Sequence, residues 1–159
     1  MAPSIPDETP PSPAIQPDSR PALTQSVTRG TLRLLSAMGW SCLCEVPLKN
    51  ARRADILALD KAGSVTIVEV KSSLADFNAD GKWQEYLPFC DRFYFAVPLS
   101  FPAEVLPTDT GIILADAYGA AIDRPALDGT MNAARRKSLT LRMARLAADR
   151  LITMQVTDL

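Results

Sequence analysis

Two short runs in the middle of the chain consist largely of Ile, Val, Leu, Ala and Thr, and polar residues interrupt them at a few fixed places. The runs are residues 52–60 and 65–71, joined by Lys61-Ala62-Gly63-Ser64. β-Branched and aliphatic residues around a Gly-containing loop predict an antiparallel hairpin. Ile56, Ala58, Val68 and Val70 fall on one face, and Leu57, Leu59, Val65 and Ile67 on the other. Strands apolar on both faces belong to a sheet covered on both sides. The polar exceptions are Asp55, Glu69 and Lys71. A loop centred on Ala62 sets Asp55 opposite Glu69 and Arg53 opposite Lys71, and gathers Asp55, Glu69 and Lys71 on one face at one end of the hairpin. A one-residue slip would send Asp55 to the other face; Glu69 and Lys71 share a face in any register.

The same patterning predicts the other elements. Residues 23–38 carry a rough apolar stripe (Leu23, Val27, Leu34, Leu35, Met38) that ends at Gly39, which predicts a helix, although Gly30 weakens its middle. Residues 40–46 read as a strand that Pro47 confines to an edge or ends. Ser73 is a candidate N-cap for a short helix over 74–78. Residues 82–87 make another helical turn or two, ended near Pro88. Strands follow at 91–97 and 111–116, with a connection at 101–106 and a short edge strand at 120–122. Residues 131–152 form the longest helix. The expected fold is α/β, a mixed sheet of about five strands flanked by helices. Residues 1–21 hold seven prolines and no aromatic residue, which predicts a disordered tail ahead of a single domain over 22–159.

Composition narrows the chemistry. The chain of 159 residues contains no histidine, which excludes His-bearing zinc sites, His-containing triads and Cys–His pairs. Any metal must then be held by oxygen ligands, which favours Mg²⁺ or Mn²⁺. Three cysteines, no signal-peptide layout and no long apolar run point to a cytoplasmic chain away from membranes. The net charge of −1 announces no polyanionic partner, but basic residues cluster late: Arg135, Arg136, Lys137, Arg142, Arg145 and Arg150 face one acid, Asp149. Such a run is either a solvated helix face or a set of phosphate contacts.

Two carboxylates directly opposed on adjacent strands repel, and stability alone gives no reason to place them there. A divalent cation relieves the repulsion, and Lys71 adds a positive charge, so the set suits hydrolysis of a metal-bound phosphate. Glu45 is either a third ligand or water-orienting group, or a solvent-facing strand residue. Arg52 and Arg53 either hold a nucleic-acid backbone or neutralise the acids. Lys82, Gln84 and Tyr86 follow closely enough to roof the carboxylates and contact a phosphate or water.

Asp55, thirteen residues, then Glu69-Val70-Lys71 resembles the motif of the PD-(D/E)XK nuclease superfamily. The wider pattern is similar to the bacterial MmcB-type DNA-repair family: Arg52-Arg53-Ala54-Asp55-Ile56-Leu57, Glu69-Val70-Lys71-Ser72-Ser73, Asp76-Phe77, Asp80, Lys82-Trp83, Tyr86, and residues 90–97. The resemblance implies a restriction-endonuclease-like core, with Asp55 and Glu69 as ligands of Mg²⁺ or Mn²⁺ and Lys71 positioning the attacking water and the scissile phosphate. It implies DNA as partner, together with other repair proteins. It gives Arg52, Arg53, Arg135, Arg136 and Lys137 as candidate DNA contacts. The superfamily often carries a further acid on its first helix, whereas residues 22–39 contain neither Asp nor Glu. The expectation is a metal-dependent, structure-directed DNA nuclease in repair. The alternatives are a catalytically silent relative that binds DNA or a repair partner, and a structural ion cluster.

Overall fold

The computed structural model describes residues 19–157. The tail expected over 1–21 lies outside the described residues up to position 18; Arg20 and Pro21 already belong to the first helix. That helix, α1 (Arg20–Ala37), starts three residues before its expected position, with proline in its first turn, where a missing N–H costs nothing. Gly39, at φ +78°, ends it. The N–H groups of Met38, Gly39 and Trp40 turn back onto the carbonyls of Leu34, Ser36 and Leu35.

The sheet has six strands, one more than expected: β1 (Ser41–Pro47), β2 (Arg53–Leu59), β3 (Val65–Val70), β4 (Arg92–Pro98), β5 (Gly111–Ala115) and β6 (Ala120–Arg124). The sixth grows from the short stretch expected at 120–122, which extends by two residues and pairs antiparallel with β5. Strands follow sequence order across the sheet. β1–β2–β3 are antiparallel, and β3–β4–β5 are parallel. The hairpin pairs Leu59 with Val65 and Ile56 with Val68, so the loop does centre on Ala62. The Asp60 carboxylate accepts from the N–H groups of Ala62 and Ser64 and builds that loop, with Gly63 at φ +83°.

Both faces are covered. One carries Leu57, Val65, Ile67, Phe93, Phe95 and Val97 beneath both crossovers and the last helix, α3 (Ala133–Thr157). The first crossover holds α2 (Leu74–Ala79), capped by Ser73 onto the Asp76 N–H, and a 3-10 helix (Trp83–Phe89). Trp83, Tyr86 and Phe89 recur every third residue and are all buried. Side chains three apart eclipse in a 3-10 helix. That spacing, with Pro88 unable to donate, explains why this stretch is not α-helical. Its rings stack over β4: Trp83 lies 5.5 Å and Tyr86 6.0 Å from Phe93. The opposite face, with Ile56, Val68, Tyr94, Ala96 and Ile113, is covered by α1. No helix among the described residues is long and apolar enough to cross a membrane.

Gly30 has a packing reason to sit mid-helix. A Cβ there would stand 2.1 Å from the Asp116 carbonyl oxygen and 2.4 Å from that of Gly119. The helix backbone lies directly on the turn between β5 and β6. Gly30→Ala should therefore destabilise the domain by about 1–3 kcal/mol in a urea titration, despite alanine's better helix propensity. A gain in stability would contradict this packing.

Candidate functional site

The regular ladder between β2 and β3 ends at Ile56 and Val68. Beyond it, side chains take over the pairing. The Asp55 N–H donates to Glu69 Oε1 (3.1 Å), and the Val70 N–H donates to Asp55 Oδ2 (2.8 Å). Each carboxylate thus binds the backbone of the facing strand, and the expected juxtaposition of Asp55 with Glu69 is present. The expected pairing of Arg53 with Lys71 is not: the strands diverge, and the Lys71 N–H turns to the Ala96 carbonyl on β4.

A kink lies beside the divergence. Glu45, facing Asp55 between the pairs Cys44–Ile56 and Val46–Ala54, has φ +54°, a conformation that costs a non-glycine residue about 1–3 kcal/mol. The alternation of both strands breaks there. Leu43 and Val46, three apart, pack on the same apolar face, as do Ala54 and Leu57. Arg150 of α3 covers the kink, donating to the carbonyls of Cys44 and Glu45.

Glu69 is 3% exposed and Lys71 6%. Burial, and then the negative charge of Asp55, push the Glu69 carboxyl up to about 8. Asp55 is raised by burial too, against the Val70 N–H and Lys71, which favour its charged form. Lys71 Nζ donates to Asp80 Oδ2 at 2.7 Å. Burial alone would raise Asp80, but Lys71 and Arg52 bring it below the ordinary range. Arg52 continues the chain to Glu85 at 2.5 Å. The Tyr86 hydroxyl donates to the Arg53 carbonyl at 3.1 Å and faces Glu69. Burial, with the Glu69 charge next, raises its pKa.

Of the remaining candidates Glu45 stays near the pair, its charge helping to raise Asp55, and the others have different partners or face solvent. Arg53 pairs with Glu45, and both side chains are at least half exposed. Lys82 and Gln84 are exposed on the outer side of the 3-10 helix, away from the face that Tyr86 presents to the site. Arg136 grips Asp91 with both guanidinium N–H groups (2.5 and 2.7 Å) and donates to the Gly63 carbonyl. Asp91 also accepts from Val65 and Met131, and Arg136 foremost lowers it to about 2. This cluster sits at the hairpin loop, the opposite end of β3 from Glu69. Arg135 lies over the Phe89 ring and donates to the Pro88 carbonyl; Lys137 is exposed. Asp80 and Arg150 support the site without having been expected there. The one trace of Asp80 in the sequence is an acid nine residues after Lys71, and nothing local marks Arg150.

No group of three or more His, Cys, Asp or Glu placed to hold a metal lies among the described residues. A hard divalent cation nevertheless fits the donor set: two carboxylates, one oxygen of each committed to a backbone N–H, the other left over, and their mutual charge unrelieved. The molecule is thus an α/β domain whose six-stranded mixed sheet bears a buried acid pair and a buried lysine at one end. The chain belongs to the MmcB-like family, described as DNA repair protein MmcB-like, which matches residues 12–158. A solved protein of unknown function from Silicibacter pomeroyi is 42% identical, with a TM-score of 0.81 over 85% of this chain and 92% of that one. No curated protein matches.

A carboxyl whose folded pKa lies above its unfolded value binds more protons in the native state. Stability therefore falls as pH rises from the ordinary glutamate range through about 8. Without divalent cations, stability should decline over that window by up to about 1.4 kcal/mol per pH unit, and Glu69→Gln should flatten the decline. An equally steep profile in Glu69→Gln would mean that other groups carry it.

Proposed function

We propose that the protein is a PD-(D/E)XK-type nuclease that hydrolyses DNA phosphodiester bonds during repair with Mg²⁺ or Mn²⁺. What carries the reading is the acid pair itself: two carboxylates on facing strands, desolvated and mutually repelling, with a buried ammonium beside them. Structural ion clusters balance their charges, whereas here burial and mutual repulsion oppose ionising both carboxyls, at the cost of local stability.

In this reading Asp55 and Glu69 hold the cation. Their hydrogen bonds to the facing backbone fix the carboxylate orientations before any ligand arrives. A bound cation supplies a water of lowered pKa and offsets phosphate charge. Lys71 stabilises the negative charge that develops on the phosphate, and its amine is positioned by Asp80. Tyr86 fixes the Arg53 carbonyl and closes the buried side of Glu69. The domain has no room for a separate sequence-reading module, which favours cutting directed by DNA structure.

A second reading has two observations in its favour. Lys71 is committed to Asp80, and α1 lacks the acid common in the superfamily, as in a relative that binds DNA or a repair partner without cutting.

A panel of labelled DNAs (single strand, flap, fork, junction, abasic, duplex) with Mg²⁺ or Mn²⁺ separates the two. Metal-dependent cutting that Asp55→Asn abolishes, with the fold intact, is expected; full activity in that variant would sink the assignment. Lys71→Ala should slow cutting by about 10²–10³-fold while leaving cation binding in place. Loss of cation binding instead would mean that Lys71 has been given the wrong role. Binding without cutting by either protein would favour the second reading.

A further inference from the structure

Helix α1 carries Arg20, Arg29 and Arg33 and no acid. It is basic where the superfamily often places a carboxylate. The close approach at Gly30 seats this helix on the turn of residues 116–119. Arg33 donates to the Tyr118 carbonyl at 3.0 Å. From within the turn, the Asp116 carboxylate accepts from the N–H groups of Tyr118 (2.8 Å) and Gly119 (3.0 Å). The main chain of the turn is therefore held from two sides. The Tyr118 side chain, by contrast, projects into solvent: the residue is 85% exposed. Leu99, just past the end of β4, is 68% exposed. Tyr118 and Leu99 together line two adjoining grooves of about 460 and 390 Å³. Arg29, one helical turn before Arg33, is exposed on the same side of α1.

Topology places this platform at the same end of the sheet as the acid pair, on the α1-covered face and not on the face of Tyr86. β3, β4 and β5 run parallel, so Lys71, Leu99 and the turn after Ala115 all lie at the same end of the sheet. Two strand spacings, about 10 Å, separate β3 from β5. A ring presented on a fixed turn, next to arginines and at the sheet end that carries the acid pair, matches the pattern by which single strands are held: bases stack on aromatics while cations follow the backbone. The only acid in the turn, Asp116, is occupied by its two N–H donors and offers little opposing charge.

The geometry points to an unpaired DNA strand as the occupant of this surface, one base stacked on Tyr118 beside Leu99 and its phosphates on Arg29 and Arg33. The assignment rests on the reading of DNA as substrate, and it adds that the substrate is single-stranded next to the scissile bond.

The test is fluorescence anisotropy with a labelled single strand and a blunt duplex, using the full chain carrying Asp55→Asn so that nothing is cut. Tyr118→Ala should weaken single-strand binding by about 5- to 100-fold and leave duplex binding unchanged. Tyr118→Phe should bind like the parent, because stacking needs the ring and not the hydroxyl. Arg33→Gln should lower the slope of log affinity against log salt by about one contact's worth. Single-strand affinity indifferent to Tyr118→Ala, or a Phe variant as weak as Ala, would overturn the proposal, as would absence of DNA binding. Cutting by the wild type with such indifference would overturn this inference alone. Tyr118-dependent binding without any cutting would uphold the docking of a single strand and overturn the scissile-bond part together with the nuclease reading.

Discussion

The structure turns on the exchange of hydrogen bonds at the end of the β2–β3 hairpin. An ordinary antiparallel ladder closes with backbone pairs. Here two carboxylates insert themselves, Asp55 accepting from Val70 and Glu69 from Asp55. Both acids are thereby anchored and drawn out of water, where their charges cannot be screened. Much of the surrounding chain manages that consequence. Lys71 supplies positive charge beside the acids, Asp80 holds Lys71, Arg52 flanks Asp80, and Tyr86 seals the buried side. The neighbouring strand kinks at Glu45, and Arg150 covers the kink through the carbonyls of Cys44 and Glu45.

The two ends of the hairpin show opposite electrostatic logic. At the loop end, Asp91 is matched fully: two guanidinium N–H groups and two backbone N–H groups meet its two oxygens, and its pKa falls. At the other end the carboxyls rise above their ordinary values because nothing matches them fully. The aromatic layer of Trp83, Tyr86 and Phe93 ties the two ends together across β4. A rigid body thus holds a strained, underneutralised pair in place, the arrangement expected where binding and not stability has shaped the site.

Most of the sheet was readable because its strands are apolar on both faces and its turns carry Asp60, Gly63 and Gly39. The opposition of Asp55 and Glu69 was conditional on a loop centred on Ala62, a condition that the pairing of Leu59 with Val65 meets. What could not be read was where the ladder ends. The kink at Glu45 is a backbone event with no glycine to mark it, and the Lys71 N–H is drawn to the Ala96 carbonyl on β4 instead of facing Arg53. Arg136 sits in a basic run that the sequence leaves open between a solvated helix face and phosphate contacts, yet a partner 45 residues away, Asp91, claims it. Asp80 resembled a simple break because the lysine it holds lies across a crossover. In each case a long-range partner decided the role, and patterning along the chain carries no record of such partners.

The most direct measurement is calorimetric titration of Mn²⁺ into the wild-type protein at pH 8, repeated in buffers of different ionisation enthalpy. The account predicts binding at a site made by Asp55 and Glu69, with proton release because a raised carboxyl must ionise to take the cation, and no such binding in Asp55→Asn. Absence of Mn²⁺ binding in the wild type, or binding unchanged in Asp55→Asn, would contradict it.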